Sequence, residues 1–331
     1  MALTFVEVFF VNILITGGAG FIGSHLCGKL LSAGHNVVVI DDLSTGCKDN
    51  IDQYGSNARF TFHAGSVRDL YVLSPLVEQC DFVYHLAAAV GVQLILDKPV
   101  HTIETNIHGT EIILQLANQY KKKVLIASTS EVYGKSDAIP FSEDSDMVLG
   151  ATRHSRWAYA CSKAIDEFLS FAYAEQYGLE VVITRFFNVI GPRQTGQYGM
   201  VVPRFVAKAL KNEPLEIYGS GEQSRCFGYI DDVIDGITAL TNCDDAYGKV
   251  FNVGATSEIS MTELAKKIIE MTGSQSEMRY LSYEEAYGKT FDDMLRRVPC
   301  LEKISKTIGY APQVTLDQAL IYVIKDMRER M

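Results

Sequence analysis

The sequence has no surplus of positive charge, which excludes one large class of function. Thirty lysine and arginine residues stand against 40 aspartate and glutamate residues, and the formal net charge is −10. A protein that binds duplex nucleic acid needs a basic face to neutralise the phosphates. We therefore expect no nucleic-acid partner, although a local basic pocket for a phosphorylated small molecule is compatible with an acidic chain.

Closely spaced cysteine pairs are also absent. No two of the seven cysteines form a CxxC motif, and they stand at positions 27, 47, 80, 161, 226, 243 and 300. This scattered, odd-numbered set argues against a disulfide framework and against a zinc site. We expect no metal and a reducing, cytoplasmic environment.

Long hydrophobic runs are missing as well. A membrane helix requires about 20 predominantly apolar residues, and no such stretch is apparent, so no membrane partner is expected. The first 18 residues, MALTFVEVFFVNILITGG, are apolar but carry Glu7 and no positively charged start. Because they run into a glycine-rich loop, we interpret them as a short extension and a first strand rather than a signal peptide.

Apolar residues make up 47% of the chain and charged residues 21%, a globular composition. Short, β-branched apolar runs predict buried strands at 11–16, 36–41, 59–63, 81–87, 123–128 and 180–186. Intervening segments predict helices at 21–33, 69–79, 99–120 and 157–177. This alternation predicts an α/β fold with a Rossmann-type, doubly wound parallel sheet.

The pattern changes after about residue 190, where strands become few. Helices are predicted at 200–211, 231–242, 260–272 and 315–329, with a short strand in the stretch PLEIYG. We expect a smaller C-terminal mixed α/β domain that binds substrate. The predicted division is a cofactor domain of 1–189 to which 228–254 returns, and a substrate domain of 190–227 and 255–331.

The stretch ILITGGAGFIGSHL joins the first strand to the first helix and contains Gly17, Gly20 and Gly23 in a G-x-x-G-x-x-G pattern. Glycines at this spacing let the backbone approach a pyrophosphate at a helix N-terminus. Asp41 ends the second strand, where a carboxylate accepts hydrogen bonds from adenosine ribose hydroxyls. No arginine stands between residues 41 and 58 to bind a 2′-phosphate, so the pattern predicts NAD rather than NADP.

The stretch WAYACSK places Tyr159 and Lys163 four residues apart in a predicted helix, on one helix face. A lysine ammonium beside a phenol is expected to lower the pKa of the phenol. The tyrosine can then take a proton from a sugar hydroxyl while a nicotinamide takes the hydride. The sequence therefore predicts a redox pair.

The chain resembles the extended short-chain dehydrogenases/reductases that act on nucleotide sugars. The matching motifs span nearly its whole length: TGGAGFIGSHL, DDLSTG, HLAA, TNIHGT, ASTSEVYG, YACSK, RFFNVIGPR, YGSGEQSRCF and RRVP. The resemblance implies tightly held NAD, a nucleotide-sugar substrate, and a homodimer formed through helices 99–120 and 157–177. It also implies a catalytic Thr/Ser, Tyr and Lys, which match Thr129, Tyr159 and Lys163.

The resemblance implies further contacts to both ligands. Beyond the glycines, Asp41, Tyr159 and Lys163, the implied cofactor contacts are Phe21, Ile22, Ser66, Val67, Leu86, Ala87, Ala88 and Asn106. Relatives often carry Asp at the place of Ser66, so the adenine contact differs there. The implied contacts to the nucleotide sugar are Asn188, Arg204, Arg225 and Arg297. Guanidinium groups suit a diphosphate because their planar forks bind its oxygens.

Glu131 follows Ser130 in the stretch ASTSEVYG, where simple 4-epimerases of this family usually carry a small residue. A carboxylate there suggests chemistry at C5 of the sugar after C4 becomes a ketone. The best specific interpretation is decarboxylation of UDP-glucuronate, with Thr129, Ser130 and Glu131 in catalytic roles. A 4,6-dehydratase and a 4-epimerase remain alternatives, and an NAD-binding regulatory protein is the non-enzyme alternative.

Overall fold

The structure is a computed structural model, and it describes residues 11–197, 199–287 and 294–331. The extension expected before the first strand lies outside the described residues. The strands are β1 (Asn12–Thr16), β2 (Asn36–Asp41), β3 (Phe60–Ala64), β4 (Phe82–His85), β5 (Lys123–Thr129), β6 (Val181–Phe186), β7 (Val189–Ile190), β8 (Leu215–Tyr218), β9 (Ser224–Cys226), β10 (Gly228–Tyr229), β11 (Lys249–Val253), β12 (Glu258–Ser260) and β13 (Met278–Leu281). The helices are α1 (Phe21–Ser32), α2 (Asp49–Asp52), α3 (Leu70–Gln79), α4 (Val92–Asp97), α5 (Pro99–Tyr120), α6 (Arg156–Tyr177), α7 (Val201–Leu210), α8 (Ile230–Thr241), α9 (Met261–Thr272), α10 (Tyr283–Tyr287), α11 (Glu302–Ile308) and α12 (Leu316–Arg330).

Seven strands of the described chain form one sheet in the order β11-β6-β5-β4-β1-β2-β3. Every neighbouring pair in it is parallel, which confirms the predicted doubly wound α/β fold. The strand order reverses between β1 and β4. Ligands of such sheets bind in the crevice at this switch point, beyond the carboxyl ends of the strands.

The strand β11 was not predicted, although the return of residues 228–254 to the first domain was expected. Lys249 and Asn252 interrupt its apolar pattern, so the local sequence signal is weak. Pairing with β6 along the whole strand supplies the backbone hydrogen bonds. Asn252 is satisfied there by the Tyr133 hydroxyl and by the backbone oxygens of Phe141 and Cys300.

Both faces of the sheet are buried, which explains why its strands are apolar without a strict alternation. In β1, Ile13 and Ile15 belong to the core that includes Leu26 of α1. Leu14 belongs instead to the core on the other face, together with Ile113 of α5. The β1 side chains thus hold helices on both sides of the sheet.

The C-terminal part of the chain shares one of these cores with the sheet. Side chains of α7, α9 and α12, such as Phe205, Leu264 and Leu320, lie in the same hydrophobic cluster as Ile13. Two short pairs of strands complete this part, β9 antiparallel to β12 and β8 parallel to β13. Among the described residues, none of the helices combines the length and apolar character needed to cross a bilayer.

A buried ion pair locks α6 against the carboxyl ends of β5 and β6. The guanidinium of Arg185 on β6 donates to both carboxylate oxygens of Glu167 on α6, with Nη2 to Oε2 at 2.7 Å and Nε to Oε1 at 3.0 Å. The hydroxyl of Ser128 on β5 also donates to this carboxylate. Since both charged side chains are buried, the pair fixes the helix relative to the strand ends where Thr129 lies.

Glu167→Gln is expected to lower the free energy of unfolding by about 3 kcal/mol, because Arg185 then keeps a buried charge without its counterion. Urea denaturation followed by circular dichroism measures this loss. The matched control is Glu180→Gln, which breaks an exposed ion pair with Lys123 and should cost less than about 1 kcal/mol. Equal losses in the two variants would contradict the anchoring role.

Candidate active site

The glycine loop between β1 and α1 packs directly against the segment that follows β4. Gly17 has a φ of +71°, and a Cβ there would lie 2.8 Å from the Cα and N of Ala87. A Cβ on Gly23 would lie 2.3 Å from the backbone oxygen of Gly17. No side chain caps the start of α1 at Gly20. The loop therefore offers backbone N–H groups at a helix N-terminus, a suitable arrangement for a phosphate.

Asp41 lies at the carboxyl end of β2, beside the same loop. Its carboxylate accepts hydrogen bonds from the backbone N–H groups of Ala19 at 2.9 Å and Leu43 at 2.8 Å. Burial raises the pKa of Asp41, while these two hydrogen bonds act in the opposite direction. The carboxylate is thus held in a defined place at the cleft wall, where a ribose hydroxyl can donate to it.

A cleft of about 800 Å³ runs from this loop, across the strand ends, to the C-terminal part of the chain. Its lining contains nearly all of the residues predicted from the sequence. They are Gly17, Gly20, Phe21, Ile22, Gly23, Asp41, Val67, Leu86, Ala87, Ala88, Thr129, Ser130, Glu131, Tyr159, Lys163, Asn188, Arg204, Arg225 and Arg297.

Two predicted cofactor residues do not belong to this lining. The Ser66 hydroxyl instead accepts a hydrogen bond from the backbone N–H of Arg68 within a turn. The amide of Asn106 is fully buried in α5, accepts from the backbone N–H of Ala89 at 2.8 Å, and donates to Ser162 at 3.2 Å. Asn106 therefore supports the backbone of the cleft wall from behind, and Ser66 shapes a turn.

Helix α6 carries Tyr159 and Lys163 to the centre of the cleft. The expected lowering of the phenol pKa is not what the structure shows. Burial raises the pKa of Tyr159, the charge of Glu131 raises it further, and a hydrogen bond with Thr129 acts in the opposite direction. The ammonium of Lys163 donates to Asp166 at 2.8 Å, so part of its charge is offset.

Glu131 lies in a single 3-10 turn, Ser130–Tyr133, which follows β5. Its carboxylate is paired with two buried guanidinium groups, Nη2 of Arg297 at 2.8 Å from Oε1 and Nη2 of Arg156 at 3.3 Å from Oε2. Burial by itself would raise the pKa of Glu131. The charges of Arg156 and Arg297, with a smaller contribution from Arg225, outweigh burial and lower that pKa to about 2.

The other predicted substrate residues line the C-terminal side of the cleft. The guanidinium of Arg204 lies over the ring of Tyr218, 4.0 Å from its centroid, and donates to the backbone oxygen of Glu216. Arg225 is buried and donates to the backbone oxygen of Ser224 at 2.8 Å. These contacts hold two cations in place by stacking and backbone hydrogen bonds, which suits recognition of an anion.

Arg156 and Asp166 were not among the predicted site residues. Arg156 stands three positions before Tyr159. Its partner Glu131 lies 25 positions away, so no local pattern reveals the pair. Asp166 follows Lys163 at the i+3 spacing that brings helix side chains together, and that spacing was the available signal.

Gly17→Ala is expected to weaken NAD binding at least tenfold, because the new methyl group would press into the backbone of Ala87 and displace the loop. Isothermal titration calorimetry with NAD measures this change. Gly178→Ala is the matched control, since Gly178 has a similar φ of +68° with no atom within 4 Å of an added Cβ. That variant should lose only about 1 kcal/mol of stability and keep its NAD affinity. An unchanged affinity in Gly17→Ala would refute the assignment of this loop.

Comparison with known proteins agrees with this geometry. The family model "GDP-mannose 4,6 dehydratase" matches residues 14–322. The chain is 41% identical to the UDP-N-acetyl-α-D-glucosaminuronate decarboxylase of Bacillus cytotoxicus over 317 residues, 96% of this chain and 97% of that one. It is 36% identical to UDP-glucuronic acid decarboxylase 1 of Xenopus tropicalis over 320 residues, 97% of this chain and 73% of that one.

A solved structure shows the same similarity in three dimensions. The UDP-glucuronic acid 4-epimerase of Bacillus cereus, in complex with UDP-glucuronic acid and NAD, has a TM-score of 0.87 and 30% identity, covering 97% of this chain and all of that one. Its NAD supports the predicted cofactor. The chain therefore belongs to the GDP-mannose 4,6-dehydratase family of extended short-chain dehydrogenases/reductases, which are NAD-dependent enzymes of nucleotide-sugar chemistry.

Proposed function

We propose that the chain is an NAD-dependent decarboxylase of a UDP-uronate, a UDP-linked sugar whose C6 is a carboxylate. One observation carries the choice within the family: Glu131 is held between the guanidinium groups of Arg156 and Arg297, with a pKa of about 2. Decarboxylation, 4,6-dehydration and 4-epimerisation all begin with oxidation at C4. These reactions differ in whether a protein carboxylate beside the sugar must act as a base.

The described residues fit a bound dinucleotide. The Gly17 loop and the start of α1 suit the pyrophosphate, and the fixed carboxylate of Asp41 suits the adenosine ribose. When bound, NAD supplies the acceptor for the hydride from C4. The domain division proposed for this role keeps residues 1–189 and 228–254 with the cofactor, and leaves 190–227 and 255–331 for the nucleotide sugar.

The oxidation step requires a base for the C4 hydroxyl. Tyr159 takes that proton, and the Thr129 hydroxyl acts to lower the pKa of the phenol. The ammonium of Lys163, on the same face of α6, stabilises the phenolate that acts as base. The carbon loses a hydride and the oxygen loses a proton, so C4 becomes a ketone.

A uronate with a ketone at C4 is a β-keto acid. The C5–C6 bond breaks, CO2 leaves, and the electron pair moves into an enolate whose oxygen is the former C4 carbonyl. Water or a nearby acid then protonates C5 to give a UDP-4-keto-pentose. None of these steps needs a protein carboxylate to remove hydrogen from carbon.

A 4,6-dehydratase, in contrast, needs a base that removes the C5 hydrogen. A carboxylate with a pKa of about 2 is a weak base, far from the neutral operating range that suits general-base catalysis. A 4-epimerase needs no carboxylate at this position. The low basicity of the ion-paired Glu131 therefore argues against dehydration, and the two decarboxylase relatives favour decarboxylation over epimerisation.

The arginines give the site the charge that a uronate requires. Three guanidinium groups, those of Arg156, Arg225 and Arg297, surround one carboxylate, and all three are buried. This excess of positive charge suits a diphosphate together with the C6 carboxylate, which Arg156 is positioned to bind as a fork. Glu131 keeps Arg156 and Arg297 oriented toward the substrate.

The relatives support the same reaction class. Both relatives described above are decarboxylases of UDP-uronates, one named for an N-acetylated uronate and one for UDP-glucuronic acid. The test is a panel of UDP-glucuronate, UDP-N-acetylglucosaminuronate, UDP-glucose, UDP-N-acetylglucosamine and GDP-mannose, with products identified by mass spectrometry. Loss of CO2 from a uronate supports the proposal. Loss of water, or a product of unchanged mass, would replace it with a dehydratase or an epimerase.

Arg156→Gln is expected to lower kcat/KM for the uronate by about 100-fold, because the C6 carboxylate loses a charged hydrogen-bond donor worth about 3 kcal/mol. Steady-state kinetics with the reactive uronate measures this. The control is Arg153→Gln, which removes the same charge from an exposed position three residues earlier and should change kcat/KM less than about twofold. Equal effects would show that general charge, rather than a specific contact, is responsible.

We also propose that the enzyme is a homodimer formed through α5 and α6. These helices pack together and present an apolar stripe to the surface, with Val100 and Ile103 on α5 and Ile165 and Phe168 on α6 exposed. Phe168 is 64% exposed. A contiguous apolar helix face of this kind is typical of a surface that a second copy covers.

Phe168→Glu should convert the dimer to a monomer, because the new charge would be buried without a partner at the interface. Size-exclusion chromatography with light scattering measures the mass. Ile321→Glu is the control, since Ile321 on α12 is similarly exposed but lies outside the stripe, and this variant should remain dimeric. A monomeric parent enzyme would overturn the proposal directly.

A further inference from the structure

The lysine of the redox pair has a buried counterion behind it. The ammonium of Lys163 lies 2.8 Å from Oδ2 of Asp166, one turn further along α6. The two side chains are only 2% and 1% exposed. Lys163 lines the cleft, whereas Asp166 does not belong to the described lining.

Asp166 lies at one end of a group of buried polar side chains that reaches the centre of the sheet. The Thr110 hydroxyl of α5 acts to lower the pKa of Asp166 and lies 3.2 Å from Nε2 of His85. Nδ1 of His85 lies 2.8 Å from the hydroxyl of Thr16 at the end of β1. Burial, and then the charge of Lys163, lower the pKa of His85 to about 3. The histidine is therefore neutral at physiological pH and adds no second cation.

An ordinary helix ion pair does not explain this arrangement. An exposed pair at i,i+3 spacing stabilises a helix by only about 0.2–0.5 kcal/mol. Burying two charges costs several kcal/mol per ion before their attraction is counted. This fully buried pair includes the lysine of the redox pair. A role in placing charge near the reaction therefore explains it better than a gain in stability does.

We propose that Asp166 is a positioning residue of the redox centre, which fixes the ammonium of Lys163 and offsets its charge, and so sets the pH at which Tyr159 becomes the base. The inference rests on the redox pair of the proposed function. We expect the charge of Lys163, on the same helix face, to favour the phenolate, and the charge of Asp166 to oppose it.

The other charges around Tyr159 come from three parts of the chain. Glu131 in the 3-10 turn disfavours the phenolate, while Arg297, from the segment before α11, favours it. Arg156 on α6 is paired with Glu131. The charge of Asp166 acts in the same direction as that of Glu131 and raises the pKa of Tyr159. Removal of the Asp166 charge should therefore make the phenol more acidic.

The test is the pH dependence of kcat/KM for Asp166→Asn, with the nucleotide sugar that reacts in the panel. Because turnover requires the phenolate, the rate rises as pH passes the pKa of Tyr159. The acidic limb should move to lower pH by about one unit, the size expected when a neighbouring charge is removed. Asp166→Glu, which restores the charge, should return the limb toward its original position. A limb that stays in place or moves to higher pH in Asp166→Asn overturns the inference.

A second measurement separates this role from simple support of the fold. NAD affinity by isothermal titration calorimetry should stay within about threefold in Asp166→Asn, because Asp166 lies outside the described cleft lining. Asp166→Ser repeats the test with a smaller neutral side chain if the amide variant fails to fold. Loss of NAD affinity in both neutral variants would make Asp166 a structural residue and overturn the inference.

Two controls keep the failure of this inference distinct from failure of the proposed function. Glu175→Gln removes an exposed carboxylate from the same helix and should leave the pH profile unchanged. If its acidic limb moves as far as that of Asp166→Asn, a specific role for Asp166 is refuted.

The second control is Tyr159→Phe, which should abolish turnover and retain NAD. If Tyr159→Phe turns over normally, the redox pair itself is wrong. If it is inactive while the limb of Asp166→Asn is unmoved, only the role of Asp166 is wrong.

Discussion

The structure depends on charge pairing buried at the carboxyl ends of the parallel strands. Arg185 and Glu167 fix α6 to β5 and β6, and this places Tyr159 and Lys163 opposite Thr129. A carboxylate and a guanidinium out of water are stable only with close, multiple hydrogen bonds. Because these hydrogen bonds between Arg185 and Glu167 are close and hard to break, they fix the position of α6. Tyr159 and Lys163 lie on α6, so their positions are fixed as well.

Two further carboxylates are buried near Tyr159, Glu131 in the cleft lining and Asp166 outside it. Glu131 is surrounded by guanidinium groups and is ionised throughout the neutral range. Asp166 is buried beside a single ammonium, and burial raises its pKa. In the proposed function, one carboxylate orients cations toward the substrate, and the other restrains Lys163. An acidic protein thus provides a positive site for an anionic substrate by concentrating arginines where the solvent cannot screen them.

Much of the fold could be read from the sequence because its signals are local. Six strands of the main sheet and the long helices followed from short apolar runs and amphipathic segments, and their observed bounds differ from the predicted ones by at most two residues. Where the local sequence signal is weak, the structure depends on contacts with residues distant in the sequence. β11 is defined by its pairing with β6, and Ser66 was assigned by position in a motif although its hydroxyl serves a turn. A motif identifies a residue without showing which way it faces: the amide of Asn106 lies behind the cleft wall, and its predicted cofactor role stays a prediction.

The sequence by itself determined the strand-loop-helix unit with its glycines, the acid at the end of β2, and the tyrosine and lysine on one helix face. These depend on neighbours within a few positions, where covalent geometry and helix periodicity act. Only the tertiary structure decided that Arg156 and Arg297, which stand 141 positions apart along the chain, meet on Glu131. Electrostatic energy depends on distance in space and on exclusion of water, and the order of the residues alone reveals neither quantity.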